Sequence, residues 1–340
     1  MIVDSYSLAG QSGLLGMTLT YKRYRPEAIP TIPDSKSTVL ILAHSVGTHK
    51  ETWEPVIERL FRLQSTSPGA TVTEVWSVDS PNHGEAAAYN ERLLLGRPYG
   101  ISGYDCAQGI RTLINSGLIT NSNVVCVGHS AGACVLILST IFYRLDSLPY
   151  SSMILIEPTM MRKETLAQSS TKASEFKRIL IGVKKRRDVW ASREIARTWF
   201  RERLPWRRWD ARVIDGLVKH GLVDLPTAAH PEGVGVTLAC TREQEAAGYM
   251  YEQDGVDAIE RLRDLCSRIP VHCIFGAEID LVPEEIRLGI CDATVGRRMA
   301  TITKIPDAGH LVAHEKPDEV AEAIWMALNR DYSPNILCKL

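Results

Sequence analysis

The chain has 340 residues, 45% hydrophobic and 23% charged, enough to bury one large α/β domain with an inserted subdomain or two ordinary domains. Its formal net charge of −1 excludes the basic balance of a dedicated nucleic-acid binder. The start, MIVDSYSLAG, lacks the basic and apolar regions of a secretory signal, and the longest apolar stretch, Ala133 to Tyr143, is too short to span a bilayer.

Taken in chain order, Ile2 to Leu8 and Leu15 to Tyr24 are weak strand segments fit for an antiparallel edge. Ser37 to Ala43 (STVLILA) is the first short apolar run bounded by turn residues, the signature of a buried strand. Thr52 to Gln64 follows as a helix with Val56, Ile57, Leu60 and Phe61 on one face. Next come a strand over Thr73 to Val78, a helix over Tyr104 to Ser116, a strand over Asn123 to Val127 and a helix over Ala131 to Arg144. A strand over Ser152 to Ile156 closes this first alternation. From Thr159 to about Gln253 the alternation fails, and the span reads as helices and loops. Strands over Val271 to Phe275 and Ala300 to Ile305, then a helix over Asp318 to Asn329, resume it. The pattern predicts an α/β fold, a mostly parallel sheet with helices on both faces. The expected divisions are a core over 1–158 and 254–332, an inserted helical cap over 159–253, and a tail over 333–340.

Eight cysteines (106, 126, 134, 240, 266, 273, 291 and 338) form no CxxC pair, which points to a reduced, intracellular protein without a structural metal. No motif calls for a metal or redox cofactor. Residues 162–214 hold sixteen Lys/Arg against six Asp/Glu. This is either a solvated helical face or a surface for an anionic handle such as a coenzyme-A phosphate, or for a membrane. Trp190, Trp199, Trp206 and Trp209 in the same span suit a cap core, and favour a bulky, largely apolar substrate.

Gly128-His129-Ser130-Ala131-Gly132 is a G-x-S-x-G pentapeptide between an apolar β-rich run and a helical run. A serine on such a strand-to-helix turn projects at the carboxyl edge of the sheet, and the helix N-terminus offers amides to a developing oxyanion. Ser130 is therefore the expected nucleophile. His310, in a loop just after the last strand, reaches the same sheet edge and is the expected general base. The acid is open. Glu157 ends the buried strand SMILI, where a carboxylate must be paired or catalytic; Asp280 and Glu278 flank the position usual for an acid after the penultimate strand, which is Ile279 here. After VLILA, the loop His44-Ser45-Val46-Gly47-Thr48-His49 can aim an amide at the oxyanion. Val46, to within one residue, and Ala131 are the expected donors. His44 and His49 suit structural roles, and Asp79-Ser80-Pro81-Asn82-His83-Gly84-Glu85 reads as a supporting turn.

Together, His44, DSPNHGE, GHSAG and GHLVAHEKP resemble the α/β-hydrolase superfamily over nearly the whole chain. HSVGTHKETWEPVIERL, DSPNHGEAAAYNE and VTLACTREQEAA resemble a fungal subgroup that includes hydrolases of toxin and polyketide pathways and peroxisomal lipase-like proteins. The resemblance implies the α/β-hydrolase fold, a Ser130–His310–acid triad and a helical cap. The displaced aspartate is similar to enzymes with a glutamate after the earlier strand, such as zearalenone lactone hydrolases, which favours Glu157. The expected activity is hydrolysis of an ester, lactone or thioester in fungal secondary metabolism. The alternatives are cyclisation, condensation or carbon–carbon cleavage in the same pocket, and non-catalytic ligand binding. The terminal Cys338-Lys339-Leu340 is a variant of the Ser-Lys-Leu address, implying a peroxisomal import receptor as partner and peroxisomal rather than cytoplasmic location.

Overall fold

The computed structural model describes residues 1–332 apart from 11, 15, 29–36 and 165–169, and leaves the side chains of 12, 170–177 and 331–332 undescribed. The tail motif at 338–340 lies outside the described residues.

Short runs rich in β-branched and aliphatic residues build eight strands: β1 (Ile2–Leu8), β2 (Leu19–Arg25), β3 (Ser37–Ala43), β4 (Thr71–Val78), β5 (Val124–His129), β6 (Ser152–Ile156), β10 (Val271–Gly276) and β11 (Thr301–Ile305). They form one sheet in the order β1-β2-β4-β3-β5-β6-β10-β11. β1, β2 and β4 pair antiparallel at one edge, and every pairing from β4 to β11 is parallel. Strand alternation divides the core in two. Val39, Ile41 and Ala43 of β3 and Met153 and Leu155 of β6 face one cluster; Leu40, Leu42, Ile154 and Ile156 face the other. Such strands are buried on both sides, as a parallel sheet requires.

Helices α1 (Glu54–Thr66), α2 (Gly84–Leu95), α3 (Gly103–Asn115) and α4 (Ala131–Ser139) precede β6. α3, α4 and α9 (Glu252–Cys266) cover one face of the sheet, while α1 and α12 (Pro317–Tyr332) cover the other. Gly132 to Ser139 are all buried, so α4 is apolar all round and runs through the core under the sheet. It stops at Ser139 and passes into a 3-10 turn over Thr140–Phe142, short of the expected Arg144.

The span between β6 and α9 holds α5 (Ser170–Lys185), α6 (Arg193–Arg201), α7 (Ala211–His220) and α8 (Arg242–Gly248). It also holds β7 (Val189–Trp190), β8 (Leu222–Asp224) and β9 (Val236–Leu238), an antiparallel sheet in the order β7-β9-β8 that is separate from the large one. The expectation of helices and loops alone is corrected here. Strands of two or three residues are too short to display alternation. Trp190, Phe200, Ile214 and Leu217 form this subdomain's own core, with Trp199, Trp206 and Trp209 against it. Five of the sixteen basic residues in 162–214 pair with acids from beyond that span: Arg186 with Glu245, Arg193 with Asp224, Arg197 with Asp215, Arg208 with Glu278 and Glu315, and Arg212 with Asp318. That favours the solvated-face reading of the charge run.

Two short helices complete the chain, α10 (Glu284–Ile290) after β10 and α11 (Val312–Glu315) after β11.

Candidate active site

The parallel strands end at one rim, and the candidate residues follow those ends. Ser130 leaves β5 at φ 55°, ψ −120°, in the left-handed half of the map that side chains avoid. The flanking glycines make this turn possible. A Cβ on Gly128 would lie 2.6 Å from Ala133 N, and one on Gly132 would lie 2.3 Å from the Ala43 carbonyl oxygen. α4 therefore starts against the end of β3, bringing Ala131 beside the loop that carries Val46. Glu157 follows β6 at φ 45°, also in the left-handed region. The backbone ladder continues one residue past the strands: Ser130 N–H donates to Ile156 O at 2.9 Å and Glu157 N–H to Ile274 O at 2.9 Å. The serine turn and the acid are thus held in register by the sheet itself.

The side chains meet accordingly. Ser130 Oγ lies 2.9 Å from His310 Nε2, and His310 Nδ1 lies 3.3 Å from Glu157 Oε2. With Nδ1 protonated and donating to the carboxylate, Nε2 is an acceptor for the serine hydroxyl. Asp280 is exposed, and its Oδ1 accepts the backbone N–H of His310 at 2.8 Å and of Leu281 at 2.6 Å; its carboxylate supports the loop and leaves the imidazole to Glu157. Glu278 points to the surface and pairs with Arg208 at 2.8 Å. Of the three acids weighed from the sequence, the structure brings Glu157 alone to the His310 ring.

Sequence reasoning missed Arg287 altogether. This α10 residue is 3% exposed, and its Nη2 stands 2.8 Å from Glu157 Oε1, the oxygen that also accepts the Gly276 N–H at 2.8 Å. A lone arginine on a short helix gives no periodic or motif signal.

The loop after β3 is fastened from below. Gly47 N–H donates to His83 Nε2 at 2.9 Å, whose Nδ1–H donates to Asn82 Oδ1 at 2.7 Å. Ser80 N–H donates to His44 Nε2 at 3.0 Å, and His44 Nδ1–H donates to the Ser45 carbonyl at 2.8 Å. Both imidazoles serve as scaffold, and burial, the largest influence on each, lowers the pKa of both. The Gly47 amide is engaged by His83, whereas the N–H groups of Val46 and Ala131 donate to no other described group. Fully buried Lys50 anchors the loop further: its ammonium contacts Asp79 at 2.7 Å, Glu85 at 3.0 Å and Glu51 at 3.1 Å. Burial opposes that charge, but the three carboxylates outweigh it and raise the lysine pKa.

Behind His310, His129 donates Nε2–H to the His310 carbonyl at 2.8 Å, and burial, followed by the nearby His310, pushes its pKa down to about 3. His314 is fully buried, 5.1 Å from the His129 ring, and stacks on Trp209 of the cap at 4.4 Å. The cap closes above: the Glu245 carboxylate of α8 packs on Gly47, and Val46 packs on Gly248. A cavity of about 10 Å³ beside the loop, lined by Gly47, Thr48, His49 and Arg186, has room for about one water-sized sphere.

The sheet order, the serine turn at the rim and the helices on both faces define an α/β hydrolase. Residues 40–323 match the model of the alpha/beta hydrolase family, and the chain belongs to that family. Among curated proteins it is similar to the type I acyl-CoA thioesterase mpaH' of Penicillium brevicompactum, 27% identical over 212 residues. That match covers 62% of this chain and 46% of the relative, so it spans about half the length of that protein. Among solved structures, the peroxisomal alpha-beta-hydrolase Lpx1 of Saccharomyces cerevisiae superimposes with a TM-score of 0.76 at 17% identity, covering 99% of this chain and 91% of that one. The thioesterase domain from the curacin biosynthetic pathway does so with a TM-score of 0.64 at 14% identity, over 96% and 100% of the two chains. These likenesses are of fold.

Proposed function

We propose that the chain hydrolyses a carboxylic ester or thioester through a covalent acyl-enzyme, with Ser130 as nucleophile, His310 as general base and acid, and Glu157 as the acid partner. The observation that carries this reading is the 2.9 Å approach of Ser130 Oγ to His310 Nε2, on a serine held at φ 55°. Strain of that kind persists only where the surroundings impose it. In the first half-reaction Oγ bonds to the carbonyl carbon while its proton passes to Nε2. The Val46 and Ala131 amides donate to the resulting oxyanion. The C–O or C–S bond then breaks, and the leaving group takes the proton from Nε2. A water molecule repeats the sequence and releases the acid.

An acyl-CoA thioester is the preferred substrate class, supported by the curated name of the Penicillium relatives. Substrate bulk draws little support from the cap tryptophans, which pack chiefly on one another. Peroxisomal location is part of the proposal, resting on the named location of a structural neighbour. A place in fungal secondary metabolism rests on the motif resemblance alone. The test is turnover of a panel of acyl-CoA thioesters and p-nitrophenyl esters by the wild type and by Ser130→Ala. Hydrolysis that disappears in the variant supports the reading. Equal hydrolysis by both proteins contradicts it.

A further inference from the structure

The hydrogen bonds of Arg287 go where none of the sequence motifs points. Nη1 donates to the Gly276 carbonyl at 2.7 Å and Nη2 to the Glu278 carbonyl at 3.0 Å, while Nη2 forms the 2.8 Å ion pair with Glu157 Oε1. The guanidinium also lies over the Phe275 ring at 5.3 Å. One side chain therefore grips the end of β10, the turn beyond it and the acid. Arg287 and the Gly276 amide occupy Oε1, which leaves Oε2 to His310.

The electrostatics give this arrangement a purpose, on the triad reading proposed above. His310 begins neutral, because only a neutral imidazole accepts the serine proton. In that state it offers Glu157 a hydrogen bond but no charge. A carboxylate without solvent or a cation is strongly disfavoured in its ionised form. The surroundings supply little else. From the β10–α10 turn come the acids Glu278 and Asp280, and from α11 comes Glu315. From β5 and α11 come His129 and His314, which burial disfavours as cations, and from β10 the buried thiol of Cys273. Arg208 is engaged with Glu278 and Glu315. Among the described residues, Arg287 is the cation in contact with Glu157, and a guanidinium keeps its proton throughout.

We infer that Arg287 is a positioning residue for the proposed reaction: it supplies the standing countercharge that keeps the Glu157 carboxylate ionised and turned toward His310 while the imidazole is neutral. It acts through Glu157 and touches no reacting atom.

The experiment compares wild type, Arg287→Met, Arg287→Lys, Glu157→Gln and the Glu157→Gln/Arg287→Met pair, with an activated p-nitrophenyl ester as probe. Arg287→Met is expected to lower kcat about 10²-fold, the scale of a displaced catalytic group, with KM within about twofold. The acidic limb of its kcat/KM profile should move up by about one pH unit, because an acid that loses its countercharge holds its proton longer or favours the imidazolium more strongly. Arg287→Lys, a point charge without the fork, should recover about tenfold of the loss. In the Glu157→Gln background, Arg287→Met should change kcat less than about threefold.

Equal losses in both backgrounds, or an unmoved pH profile with full kcat, would overturn the inference. Should Arg287→Met fail to fold, the double variant, which removes both buried charges together, decides it: an activity in the pair well below Glu157→Gln alone overturns the inference, and an activity within about threefold of Glu157→Gln supports it. Turnover that survives Ser130→Ala removes the triad reading itself; Ser130-dependent turnover indifferent to Arg287 removes this inference alone.

Discussion

Replacing Glu157 by Gln exchanges an oxygen for an amide nitrogen and is expected to reverse the hydrogen-bond order around His310. Arg287 and the Gly276 N–H both present donors to the Oε1 position, so the glutamine must place its carbonyl oxygen there. Its NH2 group then faces His310 Nδ1, 3.3 Å away in the wild type, and donates to it. Nδ1 becomes an acceptor, Nε2 carries the proton, and the ring that stood ready to accept from Ser130 Oγ now donates to it. The side-chain volume is unchanged, so the loss is one of tautomer. For a Ser-His-acid system such a loss is about 10³–10⁴-fold in kcat, or about 4–5 kcal/mol. Asp280→Asn provides the contrast. Its Oδ1 accepts two backbone N–H groups, which an amide oxygen accepts equally well, so kcat should stay within about threefold. The assay is steady-state hydrolysis of an activated ester, with circular dichroism to show that both variants fold. A large loss in Asp280→Asn and a small one in Glu157→Gln would refute the reasoning.

Further consequences concern the turn and the buried imidazoles. Gly132→Ala would put a methyl group 2.3 Å from the Ala43 carbonyl oxygen, forcing α4 away from β3. A loss of about 1–3 kcal/mol in urea unfolding is expected, with a fall in kcat as Ala131 and Val46 separate; unchanged stability would contradict the packing described. For pH, His129 has its folded value pushed down to about 3 from an ordinary 6.5, so the unfolded chain binds more protons between those limits. Its contribution is complete above pH 6.5 and declines as pH falls toward 3, by about 2 kcal/mol at pH 5. His44, His83 and His314 are shifted in the same direction. Urea midpoints should therefore fall between pH 7 and pH 5, and His129→Gln should flatten the slope. A slope unaltered in that variant would argue against a neutral, buried His129.

The sheet was legible in the sequence because its central strands are apolar runs bounded by turn residues, from STVLILA to VHCIF. The weak opening segments were legible too, as an edge, although β2 starts at Leu19, four residues later than Leu15. α2 was hidden behind the DSPNHGE turn, because three alanines and a scattered apolar pattern carry little helical stripe. The cap strands were hidden by their length. Around the site, Ser130, His310 and Glu157 could be placed at a shared rim because each follows a short β-rich run that reads as a parallel strand. The sequence favoured Glu157 over Asp280 and Glu278 because it ends a buried strand, and the side-chain directions, with Glu157 toward the His310 ring and Asp280 on the loop backbone, came only with coordinates. The partners that fix the site were out of reach for a different reason. Arg287 on Glu157, Lys50 on Asp79 and His83 on Gly47 are pairings between distant segments, and a single sequence records no pairing.

The proposed reaction requires the Ser130 hydroxyl to attack as His310 takes its proton. Reaction with a fluorophosphonate, followed by peptide mass mapping, tests it most directly. A single adduct is expected on the peptide containing Ser130, formed at least about 10²-fold more slowly in His310→Ala. Full-rate labelling in that variant, or an adduct on another serine, would contradict the account.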